Sequence, residues 1–376
     1  MTAQIMLVFG TRPEAIKMLP VVKALKQRPS LKVVTTVTAQ HRQMLDQVFE
    51  AFGEKPDIDL DLMAVNQTLG GITSKALMGV GAVLEQHKPD LVLVHGDTTT
   101  AMAAAMAAFY ARIPIGHVEA GLRSYDLARP WPEEFNRVVV DSIAHYMFAP
   151  TKTASENLRR EYQHDGKVFV TGNTGIDALL HVARNLDATE PVGSENFEAP
   201  VKLDPARRLV LVTGHRRESF GGGFERICDA LARIGRRDNV QVVYPVHLNP
   251  QVKDVVEARL GNQSNISLIA PVGYIDMVRL MRRASIILTD SGGIQEEGPA
   301  LGRPVLVMRD ITERPEALST GVVKLVGTDP DVIEREVSRL LDDDDHYRAT
   351  ARPVFPYGDG TAATQIAAII EEAFGR

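Results

Sequence analysis

LTDSGGIQEE (residues 288–297) is the stretch whose reading decides the fold. An apolar, β-branched run from Ala284 to Leu288 stops at Asp290, a serine and two glycines follow, and a helix-like stretch begins. A strand that passes to a helix through so short a turn is the repeating unit of an α/β sheet. The same turn aims the free N–H groups of a helix N-terminus beyond the strand end, a place suited to a phosphate. Glu296 and Glu297 fall about one turn into that helix, where a carboxylate can accept hydrogen bonds from ribose hydroxyls. Taken alone, the stretch reads equally as a nucleotide diphosphate site or as a tight turn with no ligand.

The same pattern recurs along the chain. Apolar strand candidates in the first half are Ile5–Phe9, Lys32–Thr38, Leu91–His95, Ile115–Val118, Tyr146–Ala149 and Val168–Thr171. In the second half they are Leu209–Thr213, Val240–Val246, Ile266–Ile269, Ile286–Thr289, Val305–Met308 and Val323–Leu325. Continuous apolar strands alternating with amphipathic helices mark parallel sheets covered on both faces. Two such series, separated by a polar stretch from about Asp187 to Pro205, predict two doubly wound domains. The expected boundary falls soon after Thr171, giving residues 1–172 and 173–360, with Ile176–Leu186 as the first helix of the second domain.

Composition narrows the function. The chain has 376 residues, 24% charged, and a formal net charge of −6, which argues against a nucleic-acid binder. Its one cysteine, Cys228, lies in an apolar helical pattern and reads as a packing thiol, which fits a reducing cytosol. The N-terminus enters a strand-like run without a basic leader, and the apolar stretch around Ala101–Ala111 is too short and alanine-rich to span a bilayer. A cytoplasmic protein without a membrane partner is expected. The aspartate run Asp342–Asp345 reads as a solvated helix end.

Ligands of doubly wound sheets bind outside the carboxyl ends of the strands. The groups there are Gly10–Thr11–Arg12–Pro13–Glu14–Ala15–Ile16–Lys17, Gly96–Asp97–Thr98–Thr99–Thr100, Glu119–Ala120–Gly121–Leu122–Arg123, Gly214–His215–Arg216–Arg217–Glu218, His247, Ser291–Gly292–Gly293 and Arg309–Asp310–Ile311–Thr312–Glu313–Arg314–Pro315. One polar strand end is ordinary, but seven across two sheets predict an interdomain active site.

Together these strings closely resemble the non-hydrolysing UDP-N-acetylglucosamine 2-epimerases of bacteria. The segments that carry the resemblance are FGTRPEAIKM (9–18), TAQHRQMLDQV (38–48), VHGDTTT (94–100), GHVEAGLR (116–123), PWPEEFNR (130–137), VTGHRRESFG (212–221), YPVHLNP (244–250), LTDSGGIQEEGP (288–299) and RDITERPEA (309–317). The resemblance spans nearly the whole chain. It implies a glycosyltransferase-B-type fold: two Rossmann-like domains, a deep cleft between them, and a C-terminal helix (361–376, with Thr361–Ala373 as its body) packing back on the first domain. It also implies a homodimer, no cofactor or metal, and a product used in cell-surface polysaccharide synthesis.

The chemistry sets the roles. The hydrogen at C2 of the sugar is not next to a carbonyl, so a carboxylate alone cannot remove it. The route the resemblance implies begins by breaking C1–O. UDP departs, oxocarbenium character at C1 acidifies C2–H, and a base completes the elimination. A bound 2-acetamidoglucal then takes a proton on its other face and recaptures UDP. Such a site needs cations for the pyrophosphate, an acid/base group on each face and exclusion of water.

On this resemblance Asp97, Glu119 and Glu133 surround the sugar, and His215 assists departure and return of UDP. Carboxylates crowded together are expected to raise one another's pKa. Arg12 and Lys17 contact phosphate or substrate. Ser291, Gly292 and Gly293 take the pyrophosphate, Glu297 the ribose, and Arg314 adds positive charge. Val272 and Met277 stand where the family meets uridine, although some relatives carry a polar and an aromatic residue there. Gln40, Gln43, Arg216 and His247 match a second pocket in which UDP-N-acetylglucosamine acts as an allosteric activator. Gln40 also reads simply as part of a helix cap. The competing functions are a hydrolysing epimerase that releases free N-acetylmannosamine and UDP, a glycosyltransferase of the same fold, and a nucleotide-sugar sensor.

Overall fold

The computed structural model describes residues 2–38, 42–62, 67–161, 166–190, 197, 201–214, 221–312 and 314–375, with the side chains of residues 42–44 excepted. The chain divides into two compact units, Met1–Ala178 with Tyr357–Arg376, and Leu179–Pro356.

The first unit alternates strictly. It runs β1 (Ala3–Phe9), α1 (Arg12–Lys26), β2 (Leu31–Val37), α2 (Arg42–Phe52), β3 (Ile58–Asp59), α3 (Leu69–His87) and β4 (Leu91–His95). It continues through α4 (Thr99–Tyr110), β5 (Ile115–Val118), α5 (Glu133–Ile143), β6 (Tyr146–Ala149), α6 (Lys152–Glu161) and β7 (Lys167–Val170) into α7 (Thr174–Thr189), within which the division falls. The strands form one seven-stranded sheet in the order β3-β2-β1-β4-β5-β6-β7, every pair parallel. Met6, Val8, Val92 and Val94 cluster with Val80 and Leu84 of α3 and with the alanines of α4. The alanine-rich run is thus a core helix: small side chains leave it buried from Thr100 to Ala105.

The second unit holds β8 (Arg208–Thr213), α8 (Gly222–Ile234), β9 (Val240–Pro245), α9 (Pro250–Leu260), β10 (Ile266–Ile269), α10 (Tyr274–Arg283), β11 (Ile286–Thr289) and α11 (Gly292–Ala300). Next come β12 (Val305–Val307), α12 (Pro315–Leu318), β13 (Val323–Leu325), α13 (Pro330–Asp342) and α14 (Asp344–Thr350). Its six strands, also all parallel, take the order β10-β9-β8-β11-β12-β13. Cys228 is fully buried on α8, and burial pushes its thiol up to about 12. The final helix, α15 (Ala362–Phe374), returns to α1, where Glu371 accepts from Arg28 Nη1 (3.0 Å) and Ser30 Oγ (2.7 Å).

Both units are Rossmann-like, and the fold is of the glycosyltransferase-B type. In each sheet the strand order reverses beside the first strand, between β1 and β4 and between β8 and β11. A crevice opens at such a reversal, outside the carboxyl ends of the strands. Among the described residues no helix is long and apolar enough to cross a membrane.

Candidate active site

In the first unit the reversal gathers three loops. Thr11 caps α1 in a capping box with Glu14, whose buried carboxylate accepts from Gly10 N (3.1 Å), Thr11 N (2.7 Å) and Thr98 Oγ1 (2.7 Å). One side chain thereby ties the loop after β1 to the loop after β4. Gly10 must be glycine here, because a Cβ would stand 2.1 Å from Thr38 Oγ1.

Glu119 follows β5 directly, with φ +68, a left-handed conformation that costs about 1–2 kcal/mol for a residue with a Cβ. Both Glu119 N–H and Ala120 N–H donate to Phe148 O (3.1 Å each), which fixes the turn. The Glu119 carboxylate forms an ion pair with Lys17, accepts from Asn173 Nδ2 (2.8 Å) and lies 3.8 Å from His95 Nε2. Burial pushes its pKa up, but the charges of Lys17 and then His95 outweigh it and hold the carboxyl well below the usual range. This corrects the expectation that crowded carboxylates raise each other: the groups nearest Glu119 are cations and donors.

Asp97 follows Gly96 at the end of β4. Its carboxylate pairs with Arg137, and its carbonyl accepts from Asn136 Nδ2 (2.8 Å). Arg137 also binds Glu134 (3.0 Å), which is buried and accepts from Ser124 N and Tyr125 N (3.0 Å each). Glu133 opens α5, half-buried, and no hydrogen bond or ion pair to its carboxylate occurs among the described residues. Arg12 opens α1, also half-buried.

Behind these groups lies a buried charge network. His117 Nδ1 meets Asp141 Oδ1 (2.6 Å), and its Nε2 meets Gly96 O (2.8 Å). The ring is thereby held between a carboxylate and a carbonyl, both acceptors. Asp141 also accepts from Arg123 Nη1 (2.7 Å) and Gly121 N (3.1 Å). Burial raises the Asp141 pKa, but His117 and Arg123 outweigh it and keep it low. The network holds the carbonyl before Asp97 and the turn after Glu119.

In the second unit Ser291 is the N-cap of α11, and its N–H donates to Thr289 Oγ1 (2.9 Å). Gly293 is exposed, with open space around its Cα, whereas a Cβ on Gly292 would stand 2.9 Å from the Arg314 guanidinium carbon. Arg314 is held there by Glu296 Oε1 (2.6 Å), and Thr312 Oγ1 donates to Gln295 Oε1 (2.6 Å). A cation and the first N–H groups of α11 therefore converge at the carboxyl end of β11, the combination an anion needs. Glu296 is occupied with Arg314, and Glu297 is half-buried beside it. Val272 is buried just before α10, and Met277 is half-buried on it. His247 is exposed after β9, its Nδ1 accepting from Asn249 N (3.1 Å). A separate cleft is lined by Arg226, Arg309, Asp310 and Thr328, of which Arg309 and Asp310 belong to the polar strand ends read from sequence.

The structure thus brings Lys17 to Glu119 and places Arg314 over Gly292, while His215, Arg216, Gln40 and the Gln43 side chain lie outside the described residues. Sequence reasoning missed Asn173, Glu14, Arg137 and Asp141 as partners, and it passed over His95 as a strand residue. Each except Asp141 and Arg137 stands at a strand or helix end, which was the available signal. Among the described residues no group of three or more His, Cys, Asp or Glu could hold a metal ion.

Residues 23–371 match the family model described as UDP-N-acetylglucosamine 2-epimerase. A UDP-N-acetylglucosamine 2-epimerase of Escherichia coli is 54% identical over 364 residues, covering 96% of this chain and 97% of the relative. The crystal structure of the Neisseria meningitidis UDP-GlcNAc 2-epimerase bound to UDP-GlcNAc superposes with a TM-score of 0.89 at 43% identity, covering 98% of this chain and all of the other. A glycosyltransferase of kitacinnamycin, 13% identical over both full chains, superposes at 0.64 and shows the fold alone.

Proposed function

This chain belongs to the UDP-N-acetylglucosamine 2-epimerase family, which are isomerases, and we propose that it follows the non-hydrolysing route. In this reading it interconverts UDP-N-acetylglucosamine and UDP-N-acetylmannosamine by expelling UDP, holding the 2-acetamidoglucal, protonating C2 on the other face and adding UDP back.

The observation that carries the reading is Glu119. A carboxylate nine-tenths out of water would ordinarily hold a proton, yet Lys17 and His95 keep this one anionic at a strand end. An anion so held is a base in waiting, and its withdrawal from solvent keeps water from competing. Asp97 and Glu133 are the other acid/base candidates, and the greater exposure of the Asp97 side chain lets it exchange protons with water. Lys17 acts here through Glu119, and Arg12 takes the substrate phosphate.

The N-terminus of α11 receives the pyrophosphate through Gly292 and Gly293, with Ser291 as cap. Arg314, fixed by Glu296, keeps its guanidinium there before substrate arrives, so little reorganisation accompanies C1–O cleavage. Glu297 takes the ribose, Val272 and Met277 the uracil, and His215 the proton exchanged with UDP. Retaining UDP after cleavage is what separates epimerisation from hydrolysis. A second UDP-N-acetylglucosamine at Gln40, Gln43, Arg216 and His247 would act as activator, and the active form would be a cytoplasmic homodimer.

The test is phosphorus NMR of the protein incubated with UDP-N-acetylglucosamine. The expected result is two sugar-bound nucleotides at equilibrium with only a trace of free UDP. Free UDP rising in step with N-acetylmannosamine would replace the reading with hydrolysis.

A further inference from the structure

The two oxygens of the Glu119 carboxylate stand in different surroundings. Lys17 Nζ and Asn173 Nδ2 both donate to Oε2, and His95 Nε2 lies 3.8 Å from the same oxygen. Among the described residues none donates to Oε1. That oxygen is turned toward the loop after β4, where a Cβ on Gly96 would stand 3.9 Å from it. Gly96 has φ +65 and no side chain, and Asp97 follows it. The Glu119 backbone has little freedom to change this arrangement, because the paired bonds to Phe148 O fix its left-handed φ.

Of the groups on Oε2, Asn173 is the one whose orientation the backbone settles. It is 3% exposed and stands just before α7. Its Oδ1 accepts from Gly175 N (2.8 Å), as a helix N-cap does, and its own N–H donates to Tyr357 O (2.6 Å). With the amide oxygen committed to Gly175, the NH2 group must face Glu119. Lys17 reaches Oε2 on a flexible four-carbon stem and supplies charge. The short, doubly anchored amide supplies direction.

We propose that Asn173 is a positioning residue for the reaction: by holding Oε2 it presents Oε1 as the oxygen that takes the proton from C2. In that step Oε1–H forms as C2–H breaks. The C2–H electron pair becomes the second bond between C1 and C2, and the C1–O pair leaves with UDP. Asn173 acts through the carboxylate and does not touch the sugar. A carboxylate without this anchor rotates about its stem and loses its aim at C2. This inference rests on the elimination reading above.

The test is steady-state kinetics of Asn173→Ser across pH. Serine caps a helix about as well as asparagine, so Tm should stay near the parent value, but its hydroxyl is too short to reach Glu119. The expected kcat is lower by on the order of 10²-fold, with KM and the Kd for UDP within about twofold of the parent. Lys17 of α1 and His95 of β4 are the charged or titratable groups that face Glu119, and both remain. Loss of a donor to the charged form raises the Glu119 pKa. The acid limb of kcat/KM, where the base becomes protonated, must therefore move to higher pH. Asn173→Asp keeps the cap and sets a second carboxylate against Oε2, so its acid limb must lie higher still. A merely structural Asn173 would lower activity equally at every pH and in step with Tm. That result, or Asn173→Ser with the parent kcat and acid limb, overturns the proposal. Should Asn173→Ser not fold, Asn173→Asp alone must show the raised limb. Should neither fold, the side-chain amide proton resonances of Asn173 in the unaltered protein must titrate with the acid limb of kcat/KM, and resonances that do not rule the proposal out. A parent protein that puts no solvent deuterium at C2 would instead defeat the elimination reading itself.

Discussion

Lys17→Met should strand a charge. The Lys17 and Glu119 side chains are 19% and 10% exposed, so their pair lies largely out of water. Removing one member of a buried pair costs about 3–5 kcal/mol. The residual exposure of Lys17, with Asn173 and His95 still beside the carboxylate, reduces this to about 2–4 kcal/mol, or a fall in Tm of roughly 5–15 °C at 2–4 °C per kcal/mol. Glu119→Gln in the same background removes the stranded charge and should restore at least half of the loss, so a double-mutant cycle by urea unfolding should give a coupling of about 1.5–3 kcal/mol. The pH dependence has a fixed sign. The native Glu119 pKa is depressed, so the contribution of the pair is complete above the ordinary carboxylate range and disappears as pH falls through the native value. The gap between parent and Lys17→Met must therefore narrow on acidification. Substitutions that add within about 0.5 kcal/mol, or a gap that widens in acid, would refute the reasoning.

Other substitutions probe other parts of the account. Asp141→Ala leaves His117 and Arg123 buried without their shared anion and should cost about 3–5 kcal/mol by denaturant unfolding, so a loss under about 1 kcal/mol contradicts the network. Gly292→Ala displaces the Arg314 guanidinium and should weaken UDP about tenfold by calorimetry while leaving Tm nearly unchanged, because the obstacle is the end of a flexible side chain. Gly10→Ala meets Thr38 Oγ1 in a packed turn and should cost about 1–3 kcal/mol of stability. Asp177, which accepts from Ala363 N at the start of α15, is raised by burial to about 6. A raised native pKa means stability present below the unfolded value and lost as pH climbs toward 6. Asp177→Asn should therefore stabilise the protein by about 1–3 kcal/mol at pH 8 and hardly at all at pH 4, as thermal melts at both pH values would show.

The sheets were legible because buried parallel strands are written as unbroken apolar runs. Leu91–His95, Ile115–Val118, Tyr146–Ala149, Ile266–Ile269, Ile286–Thr289 and Val323–Leu325 read from sequence have the same ends in the structure. The edge strand β3, Ile58–Asp59, has two residues and no run to betray it. Asp97 and Glu119 could be singled out as the polar groups after strands, whereas their partners could not. Lys17 and Asn173 reach Glu119 from 102 and 54 residues away, through helix placement and sheet order. Glu119 read as one carboxylate among several because a list of strand ends shows neither Lys17 folding over it nor the buried imidazole at its side. His117 lay unremarked within the strand candidate Ile115–Val118, and the contact with Gly96 O shows what it holds.

The most direct measurement follows C2 itself. UDP-N-acetylglucosamine is incubated with the protein in deuterated water, and the H2 resonances of both epimers are followed by proton NMR. The account predicts loss of H2 from both nucleotide sugars as they approach equilibrium, one solvent deuterium for each inversion. Inversion with H2 retained would contradict the removal and return of a proton at C2 on which the account depends.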